Sequence, residues 1–126
     1  MSHAAKSMLA FGLYGIGLGL VLMVNPNLVL ELFRIKPTQE VYLRLAGVLL
    51  VIHGFYDIQA ARHELTIFFQ WSVYAHVPII IVFAVFVWLG LASRWLILFG
   101  AIDLLFSIWT SYALWSSKPP VAIRPA

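Results

Sequence analysis

Two stretches without a charged side chain set the terms for this sequence: residues 7–30, 24 in a row between Lys6 and Glu31, and residues 65–93, 29 in a row between Glu64 and Arg94. Each exceeds the roughly 20 apolar residues that a helix needs to cross the hydrocarbon layer of a membrane. Two further apolar stretches lie at about 41–61, broken only by Arg44, His53 and Asp57, and at about 95–115, broken only by Asp103. With 63% of its 126 residues hydrophobic and 10% charged, the chain has more apolar surface than a soluble domain of that length can bury. The expectation is an all-α membrane protein, a compact antiparallel four-transmembrane-helix bundle forming one domain over 1–126. Its spans are placed at about 7–26, 41–61, 66–90 and 95–115, and a Pro-rich tail over 116–126 is expected to be extended. The first span is far longer than the roughly 7–15 apolar residues of a signal core and is expected to stay as an anchor.

Local signals subdivide this plan. Asn25-Pro26-Asn27 ends the first span, because proline lacks the amide donor and disfavours helix in the residue before it. "LVLELFRI" (28–35) reads as a short interfacial helix with Glu31 and Arg34 toward water, and Thr38 is a candidate N-cap for the second span. "RHELT" (62–66) makes a tight hairpin between spans two and three, and Pro78 kinks span three. Arg44 with "HGFYDI" and Arg94 with "FGAIDL" form a faint echo, Arg followed by Gly-x-x-Asp, which would suit a parallel two-plus-two repeat. The Arg-to-Gly spacing differs, ten residues against six, so coincidence explains it equally well. Lys6, Arg62, Lys118 and Arg124 gather on one side of the membrane, so the positive-inside rule places both termini in the cytoplasm by a narrow margin.

Two sets of residues carry the functional question. Gly12, Gly15 and Gly19 fall within about 60° of one another on a helical wheel, and Gly47, Gly54 and Ala61 recur at seven-residue intervals in span two. Such lines of small residues let helices approach closely in lipid. The second set is polar. An ionised acid near mid-bilayer costs roughly 2.5–3.5 kcal/mol on insertion scales, so Asp57 and Asp103 need partners or protons. Mirroring spans two and three about the 62–66 loop sets His53 level with His76 and Asp57 level with Ser72. Asp103 and Ser107 in span four lie at a similar depth, giving an intramembrane cluster of His53, Asp57, Ser72, His76, Asp103 and Ser107. Its bland role is hydrogen bonding across helices to fix register; its sharper one is a proton or substrate pathway. The same residues offer N and O atoms to a metal, and His53 or His76 offers an axial imidazole to a haem or pigment. No HxxxH or ExxH spacing occurs, so no metal or cofactor is assigned. The lack of cysteine excludes thiol catalysis and disulfides.

Asn25-Pro26, Arg44-x-x-Gly47, "HGFYDIQAAR" and "GAIDLLFSIWT" together resemble the pattern of small four-helix bacterial membrane proteins loosely similar to the DoxX-like group. The resemblance runs from about residue 8 to 115. It implies a bacterial inner-membrane location, and it implies a possible place beside quinone-linked redox chemistry, since some DoxX-like proteins are membrane subunits of that kind. The combined expectation is an accessory or assembly subunit of a larger membrane complex, or a homo-oligomer, packing through its glycine faces. The alternatives are a small oligomeric transporter or channel using the Asp/His cluster, and a redox subunit. Loops this short leave no room for a catalytic domain, and nothing in the charge pattern suggests nucleic acid.

Overall fold

The computed structural model describes residues 1–117; the tail expected over 116–126 lies almost wholly outside the described residues. Six helices and no strand occur among the described residues: α1 (His3–Val24), α2 (Pro26–Leu32), α3 (Tyr42–Arg62), α4 (Thr66–His76), α5 (Ile79–Trp88) and α6 (Leu96–Ser116). α1, α3, the α4–α5 pair and α6 are each long and apolar enough to cross a membrane.

The ends of these elements follow local chemistry. Ser2 caps α1 by accepting the Ala5 amide at 3.0 Å. Pro26 stops α1 and opens α2, where its missing N–H would have had no helical partner. α2, α3 and α5 each end on a left-handed residue, Arg34 (φ 53°), Glu64 (φ 52°) and Gly90 (φ 73°). In each, the next amide reaches back to a carbonyl five residues earlier: Ile35 to Leu30, Leu65 to Ala60 and Leu91 to Phe86. These bonds satisfy carbonyls that the helix end leaves without donors. Thr38 is not the N-cap of α3. Its hydroxyl accepts the Glu40 amide in a local turn and its own amide donates to Asn27 Oδ1, so the helix starts only at Tyr42. Pro78 does more than kink span three, for it divides the span into α4 and α5.

α1 is the central helix. Its glycine face packs against α3 and its other side against α6, with α4 touching it near one end; α6 in turn carries α5 and α4. The α1–α3 pair is antiparallel and tight. A Cβ built on Gly54 would lie 2.5 Å from the Gly12 carbonyl oxygen, and one on Gly19 would lie 2.6 Å from that of Gly47. Only hydrogen fits at these crossings. Gly15 has more room, its nearest neighbour being the Leu50 carbonyl at 3.6 Å, so the seam runs on Gly12 and Gly19 with Gly47 and Gly54 more than on the Gly15-Gly19 pair. α3 and α4, neighbours in sequence, barely meet along their axes and touch mainly through side chains such as His53 and His76. Ala4, Ala5 and Met8 of α1, Ala60 and Ala61 of α3, Phe69 of α4 and Ala113 of α6 form a small buried core at the end of the bundle that carries Glu64.

Candidate functional site: a polar cluster shared by four spans

α1 presents two faces about 110° apart on the wheel, the glycines toward α3 and Ser7, Phe11 and Tyr14 toward α6. Ser7 is fully buried, donating to the Ala4 carbonyl and sharing a 2.8 Å hydrogen bond with Thr110 of α6. Phe11 lies edge-on to His76 with centroids 4.9 Å apart, and against Phe106 at 5.0 Å. Met8, Phe11, Ser72, His76, Phe106, Ser107 and Thr110 line a small, partly open cavity, with Val73 completing its wall.

The mirrored depths of spans two and three bring His53 and His76 together, their rings at 73° with centroids 5.3 Å apart. The His76 ring is fixed from its own helix, Nδ1 lying 2.8 Å from the Ser72 carbonyl and 3.3 Å from the Ser72 hydroxyl. On α3, one turn beyond His53, Asp57 is 1% exposed and packed against Gly12. Its Oδ1 has no hydrogen-bond partner among the described residues. His53 Nε2 stands 3.9 Å from that oxygen, too far for a hydrogen bond and close enough for a small rotation or a bridging water to join them. Asp103 of α6 lies within electrostatic range of both His53 and Tyr14. Asp57 meets no side-chain donor from Ser72, because α4 leans toward α6 and away from α3.

Four of the six residues of the expected cluster, His53, Asp57, Ser72 and His76, lie side by side, and Ser72 and His76 share the cavity with Ser107, while no hydrogen bond or ion pair joins Asp103 to them among the described residues. Arg44 stays apart, its guanidinium donating to the Met23 and Val24 carbonyls at the far end of α1. Sequence reading missed the share of α1, namely Ser7, Phe11 and Tyr14. Their i, i+4, i+7 spacing was the available signal, masked by the more conspicuous glycines. Among the described residues, no group of three or more His, Cys, Asp or Glu side chains is gathered closely enough to hold a metal ion. The donors are strung along the bundle instead, an arrangement that suits hydrogen-bond and proton exchange better than chelation.

No protein-family model, no curated protein and no solved structure matches this chain.

Proposed function

We propose that this chain is a multi-pass protein of the bacterial inner membrane and an accessory or assembly subunit of a larger membrane complex, docking on its partner along the face formed by α3 and the third span. His53 carries the reading. It sits midway along α3 with its side chain 51% exposed, beside His76 of α4. An imidazole facing hydrocarbon at that depth is costly, and a polar group supplied by a neighbouring protein relieves the cost. α5 supports the same face, since it buries no residue within the fold and offers a shallow apolar groove of Ile80, Ile81, Ala84, Val85 and Trp88. The glycine seam, by contrast, is used up inside the chain and is no longer free for a partner.

A photo-crosslinking residue at Ile52 or Phe55, flanking His53, is expected to capture one defined polypeptide in native membranes, whereas the same residue at Leu13 on α1 captures lipid only. Lipid adducts at all three positions, together with a monomer on gentle purification, would sink the reading. A second reading, a small transporter, is favoured by one observation: each of the four spans contributes a titratable group, Tyr14, His53 with Asp57, His76 and Asp103, near mid-span. Proteoliposome flux that persists unchanged in Asp57→Asn and Asp103→Asn, or that is absent from the start, argues against it.

A further inference from the structure

Ser7, Asp57, Ser72, Ser107, Thr110 and both histidines lie in the half of the four spans nearer Glu64, and Asp103 lies about one turn past the midpoint of α6. Counting from the helix ends on the Glu64 side at 1.5 Å per residue, Ser7 lies about 6 Å in, Asp57 about 8 Å, Ser72 and Thr110 about 9 Å, Ser107 and His53 about 14 Å, His76 about 15 Å and Asp103 about 20 Å. Past Tyr14 on α1, His53 on α3, Pro78 in the third span and Asp103 on α6, the sequence reads "GIGLGLVLMV" (15–24), "YLRLAGVLLVI" (42–52), "IIIVFAVFVW" (79–88) and "LILFGAI" (96–102). Tyr42 and Arg44 are the only hydroxyl or charged groups there, both in the first turn of α3. An apolar stretch of roughly ten residues per helix, about 15 Å, thus faces a half in which polar groups are set among apolar ones.

Within this half Ser7, Asp57, His76, Ser107 and Thr110 are buried, Ser72 and Asp103 are half-buried, and His53 is exposed at the edge. Ser7 is bonded to Thr110, Thr110 and Ser107 line the cavity with Ser72 and His76, and His76 touches His53, which faces Asp57 and Asp103. The cavity has a volume of about 10 Å³, room for about one water molecule, and Ser72, His76, Ser107 and Thr110 on its wall offer the partners such a water needs. Between Ser7 and Thr110 and the Glu64 surface lies the small buried core, whose alanines Ala4, Ala5, Ala60, Ala61 and Ala113 surround Met8 and Phe69. The orphaned Asp57 Oδ1 and the 3.9 Å gap to His53 are a further place where a water or a shared proton completes the network.

We propose that this half of the bundle is a blind, one-sided track that passes water and protons from the Glu64 surface through Ser7, Thr110, Ser107 and His76 to the acid–imidazole cluster at mid-span, and no further. The titratable groups that face His53 and His76 from the packed elements are Tyr14 of α1, Asp57 of α3 and Asp103 of α6. A proton taken up at one of them is returned to the same surface, so the track equilibrates the cluster with one compartment and carries no net flux. This is where it departs from the transporter reading.

Because the chain has no cysteine, one introduced thiol is unique. Ser107→Cys and Thr110→Cys, close in size to the native residues, are reconstituted in phosphatidylcholine–phosphatidylglycerol vesicles and exposed to Ag⁺, an ion small enough for a cavity that admits one water. Silvered thiols are then counted by their loss of reaction with a maleimide after unfolding. Ile108→Cys, facing outward at the depth of Ser107, and Ala46→Cys, in the apolar half, are the comparisons. A His63→Cys variant labelled by a membrane-impermeant maleimide reports orientation. The expected result is loss of maleimide reaction in both track variants when Ag⁺ is on the Glu64 side, none when it is on the other side, and none in either comparison. Protection from neither side means a dry hydrogen-bonded seam, protection from both sides means a through-path, and either overturns the proposal. The proposal rests on the membrane reading of the four spans, and the reconstitution tests that separately: protein that fails to float with the vesicles refutes the membrane reading, while protein that floats unsilvered refutes the track alone.

Discussion

Single atoms decide whether α1 and α3 can touch. A methyl group at Gly54 must displace the backbone of α1, so Gly54→Ala is expected to cost about 1–3 kcal/mol, the range for overpacking a tight interface. Gly17 has nothing within 4 Å of an added Cβ, and Gly17→Ala should be neutral or gain up to about 1 kcal/mol from helix propensity. Unfolding midpoints of the two variants in detergent check this, and equal values would dismiss the seam. Asp57 calls for the opposite expectation. Its Oδ1 has no hydrogen-bond partner among the described residues, so Asp57→Asn, similar in shape, is expected to leave the midpoint unchanged or raise it, whereas losing one partner of a satisfied buried pair would cost about 1–3 kcal/mol. An acid that can be neutralised without loss is kept for something other than packing. The glycines and the two histidines were legible in the sequence because period and mirrored depth are geometric. The orphaned state of Asp57 was not, since it depends on which way α4 leans.

At the scale of elements, the four apolar stretches read from the sequence fall within a few residues of the four helices long and apolar enough to cross a membrane, because charge-free length is a strong signal, whereas the caps were misread. Arg34 and Glu64 occupy left-handed positions where glycine is the expected marker, so neither helix end announces itself. Thr38 had the right chemistry and the wrong place. Pro78 was legible as a kink, and its effect extends to the site, because the break falls two residues after His76 and frees α4 to pack on α6. Pro78→Ala is expected to restore a donor to the Tyr74 carbonyl and join α4 to α5, slowing amide hydrogen exchange over 77–82; unchanged exchange would show that the break has another cause. The α3–α4 turn carries its own pH dependence. The Ser2 hydroxyl and amide, each 2.6 Å from the Glu64 carboxylate, hold its pKa below the usual glutamate value. A group depressed in the folded state contributes stability above its unfolded pKa of about 4.3 and loses it as pH falls through the folded value. Exchange at the start of α1 should therefore be constant from pH 7 to about 5 and rise in more acid solution, and Glu64→Gln should abolish that dependence.

The whole molecule is organised around α1, which touches every other span, and around a division of polarity across its length. That division is written in the sequence, yet it emerges only when the four spans are aligned by depth, which requires knowing which ends share a side. The central place of α1 was not legible at all, because nothing in the pattern of one helix states how many neighbours it has. It has a consequence for biogenesis. The glycine face of α1 finds α3 as soon as the second span is made, but the hydroxyl of Ser7 waits for Thr110, 103 residues later in the chain. Until the last span arrives, half of the first helix stands without its partner, so a nascent chain stopped before α6 would hold a rigid two-helix hairpin with one polar side open: a form suited to capture by an insertion chaperone, and the point at which assembly can still be aborted.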